Sequence, residues 1–178
     1  MSKTQEKESI EYWLRGPLEG IPALLQPAAH ALLQSNKEIG DYLKDFPEQL
    51  LWQKLEGRAS VGFHIQHMTG VLDRMITYAK GESLTQAQFE YLKNEGDPKN
   101  GSTLKKVILT FTQQVEKTLQ YFRTLSEDTL REPRTVGRKK LPSTVLGLLF
   151  HAGEHSQRHV GQLLVTASVL KSLRDKTN

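Results

Sequence analysis

The chain has 178 residues, enough for one domain with a buried core, and its 24 basic and 20 acidic side chains leave a net charge of +4. It has no cysteine, which excludes disulfides, thiolate metal sites and cysteine nucleophiles, so any metal must be held by histidine, carboxylate or water. No apolar run of about 18 residues is present to cross a membrane, and the polar start MSKTQEKES lacks the apolar stretch of a signal peptide; no membrane partner and a cytoplasmic location are expected.

Residues 1–10 read as a disordered tail and residues 11–178 as a single domain. The stretch GPLEGIP (16–22) is turn-rich, its prolines and glycines interrupting any helix. A first long helix is predicted to begin near Pro22 or Pro27, either of which suits a first helical turn, with Leu32, Leu33, Ile39, Leu43 and Phe46 as its apolar stripe. His30, near its start, reads as an ordinary helix histidine.

Residues 47–59 form a connection, after which Ser60 is placed to cap a second helix, SVGFHIQHMTGVLDRMITYAKG, that ends at Gly81. Val61, Ile65, Met68, Leu72, Met75 and Ile76 face a core, while His64 and His67 share a side with Val71 and Tyr78. Two polar rings on a half-buried face need partners, and a metal ion would satisfy them.

Residues 84–95 read as a short peripheral helix closed by Gly96, and residues 96–102 as a polar loop. Ser102 or Thr103 starts the next helix, where Leu104, Val107, Ile108, Phe111, Val115, Leu119, Phe122 and Leu125 recur at bundle spacing and no chemistry is assigned. Residues 131–140 (REPRTVGRKK) concentrate basic charge, but no aromatics interleave it and no nucleic-acid motif accompanies it, so they read as a solvated connection and no nucleic-acid partner is expected. No convincing strand is present beyond a short extended piece around 135–141, and Pro142 and Ser143 are placed to cap the last helix.

Residues 144–170 (TVLGLLFHAGEHSQRHVGQLLVTASVL) read as one long helix carrying His151, His155 and His159 four residues apart on a common face. Imidazoles at i and i+4 can bind one metal ion. His151 and His159 stand roughly 12 Å apart at about 1.5 Å per residue, so ligand distances of about 2.0–2.1 Å prevent both from sharing one ion. Either 151/155 or 155/159 is therefore the pair, with a further ligand from elsewhere, and His64, His67 and His30 are the histidines available. HAGEH also matches the H-x-x-E-H pattern of inverted zinc proteases, with Glu154 as general base. The repeated Glu-x-x-His of di-iron bundles is absent. A site with two histidines from the last helix and one from the second asks for the least.

The sum is an all-α chain, a four-helix bundle with one or two short extra helices, in which sites are built from side chains on facing helices. RGPLEGIPALLQPAAHALLQ, then SVGFHIQHMTGVLDRMITYAKG, then LLFHAGEHSQRHVGQLL resemble the DinB superfamily of four-helix-bundle metalloproteins over most of the chain. That resemblance implies a divalent ion, often zinc or nickel, held by a histidine early in the second helix and an H-x-x-x-H pair in the last. Carried over, the ligands are His67, His155 and His159, with His64 and His151 as alternates; the pair is followed by Gly161 and Gln162, and Val160 stands where members often have arginine.

Three neutral histidines would leave open coordination positions, as in catalytic sites, where a bound water or thiolate is activated. The resemblance implies metal-dependent hydrolysis, or transfer of a low-molecular-weight thiol to an electrophile, on a small-molecule substrate; without cysteine the thiol must come from the substrate. Glu154, Gln162 and Tyr78 are the candidate base or orienting groups. The alternative is a non-catalytic metal-binding bundle acting in dimerisation or partner binding, since a bundle face not needed for the core could form a homodimer.

Overall fold

The computed structural model describes residues 10–98 and 101–177, so the tail expected at the N-terminus lies outside the described residues except for Ile10. In chain order the elements are α1 (Gln26–Tyr42), α2 (Val61–Ala79), α3 (Gln86–Lys93), α4 (Leu104–Arg123), α5 (Glu127–Leu130), β1 (Pro133–Val136), β2 (Leu141–Thr144) and α6 (Val145–Thr177). The four long helices form the bundle, and α3 and α5 are the two short extras. Helix α6 packs against both α1 and α2, and α2 packs in turn against α4. Among the described residues no helix is long and apolar enough to cross a membrane.

Local chemistry sets the helix ends. Pro27 occupies the first turn of α1, where its missing N–H costs nothing. Ser60 Oγ accepts the Phe63 N–H at 3.2 Å, and Thr103 Oγ1 accepts the Lys106 N–H at 3.2 Å, each satisfying an orphan donor of a first turn. Gly81, at φ +79°, closes α2: its N–H donates to Tyr78 O at 2.9 Å while the Glu82 N–H reaches Thr77 O at 3.1 Å, a Schellman arrangement. Thr85 and Gln88 form a capping box that starts α3.

The core draws Leu32 and Ile39 from α1, Ile65, Met68 and Leu72 from α2, Phe111 and Phe122 from α4, and Leu149 and Leu163 from α6, all fully buried. Met75 of α2 packs at the margin of this core, only partly buried. Where α1 crosses α6, a Cβ built on Gly153 would come within 3.1 Å of the Ala28 backbone, so the glycine permits the close approach.

The basic stretch departs from the expected connection. It forms an antiparallel hairpin in which Pro133 pairs with Thr144 and Val136 with Leu141. The turn is made by Gly137 at φ +68° and Lys140 at φ +48°, with the Lys140 N–H donating to Gly137 O at 3.0 Å. Strands of four residues, alternating half-buried and exposed on one side only, carry too little periodicity to announce themselves. Docking holds them: Arg134 Nε donates to Ala79 O at 2.7 Å, at the C-terminal end of α2, and Val136 packs on the core. Pro142 and Ser143 therefore belong to β2, and Thr144 caps α6, its Oγ1 accepting the Gly147 N–H at 3.0 Å.

Candidate metal centre

Helix α2 turns His64 and His67 toward α6, which brings His155 and His159 to meet them. His67 Nε2 lies 3.0 Å from His155 Nε2, and His64 Nδ1 lies 2.8 Å from His159 Nδ1. The His155 and His159 rings are 4.5 Å apart by centroid, and His67 and His159 are 4.7 Å apart. One ring nitrogen from each of His67, His155 and His159 lies within 4.8 Å of the other two. A group of this kind can close around a single ion with modest side-chain movement. His64 touches only the His159 corner of it by hydrogen bond.

Burial, helped by the neighbouring imidazoles, holds His64 and His155 down at about 4 and His159 at about 3, so these three rings are neutral near pH 7. Neutral imidazole is the form that ligates metal. His155 Nδ1 is buried with no hydrogen-bond partner, an uncompensated polar atom on a ring of the cluster. Donor type, protonation state and that orphaned nitrogen all fit a divalent cation of intermediate softness.

His67 is oriented from behind. Its Nδ1–H donates to Glu95 Oε2 at 2.6 Å, because a carboxylate can only accept, and this leaves Nε2 as the nitrogen that faces His155. Arg74 grips the other oxygen, Glu95 Oε1, at 2.7 Å, and the two side chains are 8% and 3% exposed. Glu95 follows α3, and its position is fixed where Gly96, at φ +80°, donates its N–H to Gln66 Oε1 at 2.7 Å. A further tie runs from the Tyr91 hydroxyl to Gln66 O at 3.2 Å. The peripheral helix thus delivers a carboxylate that sequence reasoning does not single out. One signal was available: Arg74 lies seven residues after His67 on the same half-buried face, and a buried guanidinium demands an acidic partner.

The remaining candidates sit elsewhere in varying degree. His151, Glu154 and His155 also offer ligand atoms within 4.8 Å of one another. Glu154, however, is already engaged by Arg158 Nη2 at 2.6 and 2.8 Å and by His151 Nδ1 at 2.8 Å, and His151 is 44% exposed. Burial works against charge on Glu154, but the Arg158 and His151 hydrogen bonds outweigh it and hold the carboxyl below its usual range. His155 can serve only one of the two groups, and Glu154 is the carboxylate of a surface ion-pair chain. Gln162 lines a cleft beside His64. Tyr78 is not brought to the histidines: it lies three turns beyond His67 and lines a different hollow with Phe89 and Arg134. His30 is buried and its Nε2 meets Gly16 O at 3.1 Å, which ties the opening loop to α1.

Comparison with known proteins agrees with this arrangement at the level of fold and family. A search of curated proteins finds no match. Among solved structures, the bundle is similar to a protein from Streptococcus pneumoniae determined by a structural genomics consortium, at 11% identity and a TM-score of 0.60, covering 84% of this chain and 90% of that one. At such identity the likeness speaks for the fold alone. The sequence itself matches the DinB superfamily over residues 31–163, a span that runs from α1 through the histidine-bearing turns of α6, and the chain belongs to that superfamily.

Proposed function

We propose that the chain holds one divalent metal ion through His67, His155 and His159 and acts through it on a small molecule, as a thiol S-transferase or a hydrolase. The observation that carries this reading is the convergence of three imidazoles, one from α2 and two from α6, whose ligand atoms lie within 4.8 Å of one another. Three protein ligands leave open coordination positions, which is the pattern of catalytic rather than structural sites. Zinc or nickel suits an all-imidazole set in a chain with no cysteine. When bound, such an ion lowers the pKa of a coordinated water toward neutrality or stabilises a thiolate supplied by the substrate.

The chain's own residues do the rest. Glu95 holds His67 in the tautomer that turns Nε2 inward, and Arg74 holds Glu95. Gln162, in the neighbouring cleft, is the accessory group best set to orient a substrate, and Glu154 stands one residue before His155 as the nearest carboxylate on α6.

Elemental analysis of protein purified without an affinity tag tests the site. Near-stoichiometric divalent metal is expected, with a sharp drop in His67→Ala, His155→Ala and His159→Ala and a smaller one in His151→Ala. A wild-type protein that carries no metal and takes up neither zinc nor nickel would sink the assignment. Turnover is tested separately, with thiol–electrophile pairs and hydrolysable esters, by loss of activity on chelation and its return with metal. Metal-loaded protein that turns over nothing across such a panel points instead to the non-catalytic bundle.

A further inference from the structure

A cleft of about 660 Å³ adjoins the histidine cluster at His64, the one histidine of the four that lines it, and is bounded further by Arg58 and Ala59 of the loop before α2 and by a face of α6 that includes Arg158, Gly161 and Gln162. Its volume lies within the roughly 300–1,000 Å³ of small-molecule sites. No carboxylate lines it. Arg158 commits only Nη2 to Glu154, and among the described residues its other N–H groups, like the side chain of Arg58, have no hydrogen-bond partner.

The tautomer chain adds a third donor. His64 Nδ1 and His159 Nδ1 are 2.8 Å apart, so one must donate to the other. With its Nδ1 engaged there, His159 has Nε2 to offer a metal, and a ligating nitrogen carries no proton. The His159 proton is then on Nδ1, donated to His64, and His64 keeps its own proton on Nε2. That nitrogen has no protein partner among the described residues, although the His64 ring is only 4% exposed and what it shows faces the cleft. Two guanidinium groups, Arg58 and the Arg158 that Glu154 holds by one nitrogen only, and the His64 N–H, with no carboxylate in the lining, describe an anion site rather than a general apolar pocket.

Resting on the metal reading above, we infer that this cleft is the substrate pocket and that it takes an oxyanion-bearing small molecule, a carboxylate or a phosphate, gripped by Arg58, Arg158 and His64 Nε2–H. Gln162 and the exposed Val165 would then border the remainder of the ligand. Gly161 leaves the room: a Cβ built there meets nothing within 4 Å.

The test titrates inorganic phosphate and succinate separately into the zinc-loaded full chain by calorimetry at fixed ionic strength, with zinc content measured in every sample. Saturable binding of one equivalent is expected, and which of the two probes binds more tightly identifies the headgroup. Arg58→Gln and Arg158→Gln should each weaken it by roughly tenfold or more, the loss of one charge-assisted contact. Gly161→Leu should abolish it by filling the cleft while leaving zinc content at the wild-type level. Zinc-loaded wild type that binds neither probe, or variants that bind as tightly as wild type, overturns the cleft assignment and leaves the metal reading standing. A chain that takes up no zinc overturns the metal reading, and the cleft assignment with it.

Discussion

Glu95 accepts hydrogen bonds from His67 at 2.6 Å and from Arg74 at 2.7 Å while only 3% exposed, so its charge serves two buried partners at once. In Glu95→Gln the amide cannot neutralise Arg74, and its NH₂ has no acceptor on His67 when that ring's proton sits on Nδ1. Metal affinity should fall about 10- to 100-fold, the usual cost of losing a carboxylate behind a ligating histidine. Stability should fall by about 3 kcal/mol or more, because a buried guanidinium loses its counter-charge. Competition with a chromophoric chelator measures the first and urea unfolding the second; unchanged affinity beside lowered stability would make Glu95 a partner of Arg74 alone. At this scale the sequence was partly readable. Four-residue spacing is enough to bring a histidine pair of α6 against α2, but His64 and His67 both face α6, and only the folded contacts separate them, with His67 against His155 and His64 against His159. Glu95 was hidden because its meeting with His67 depends on how the chain turns after α3.

The elements themselves were largely legible wherever an end is set by local chemistry. Ser60, Thr103 and Gly81 stop or start their helices for reasons written within a few residues of each. The hairpin was not, because what stabilises β1 and β2 is non-local: an Arg134 contact to the end of α2 and burial of Val136 against the bundle. Long α6 shows the same division in its glycines. Gly161 faces open space, so Gly161→Ala should stabilise the helix by about 0.5–1 kcal/mol through propensity alone. Gly153 lies against the Ala28 backbone, so Gly153→Val must push α1 and α6 apart and should cost about 1–3 kcal/mol or more. Thermal unfolding of the two variants beside wild type reads opposite signs; equal shifts would mean that the α1–α6 crossing is looser than a 3.1 Å approach implies.

For the whole molecule, the histidine cluster joins parts of the chain that are far apart in sequence, 88 residues between His67 and His155 and 95 between His64 and His159. Without an ion, that junction is a set of buried and half-buried rings with His155 Nδ1 buried and unpaired, a weak point between α2 and α6. An ion bound there ties the two helices together, and because the ligands converge only in the folded chain, its binding free energy adds to folding stability. At a free metal concentration about 100 times the dissociation constant the gain is about 2.7 kcal/mol, which for a chain of this size raises Tm by roughly 5–10 °C. Zinc should therefore raise, and a chelator lower, the Tm of wild type and of His151→Ala, whose ring lies on the exposed side of the row. His155→Ala should show no such response, and because it also removes the unpaired buried Nδ1 the comparison is made on the zinc-dependent shift, not on the metal-free Tm. A His155→Ala protein that still gains several degrees with zinc would mean that the ion is held by another set of residues, and the assignment of the three-histidine group would have to move with it.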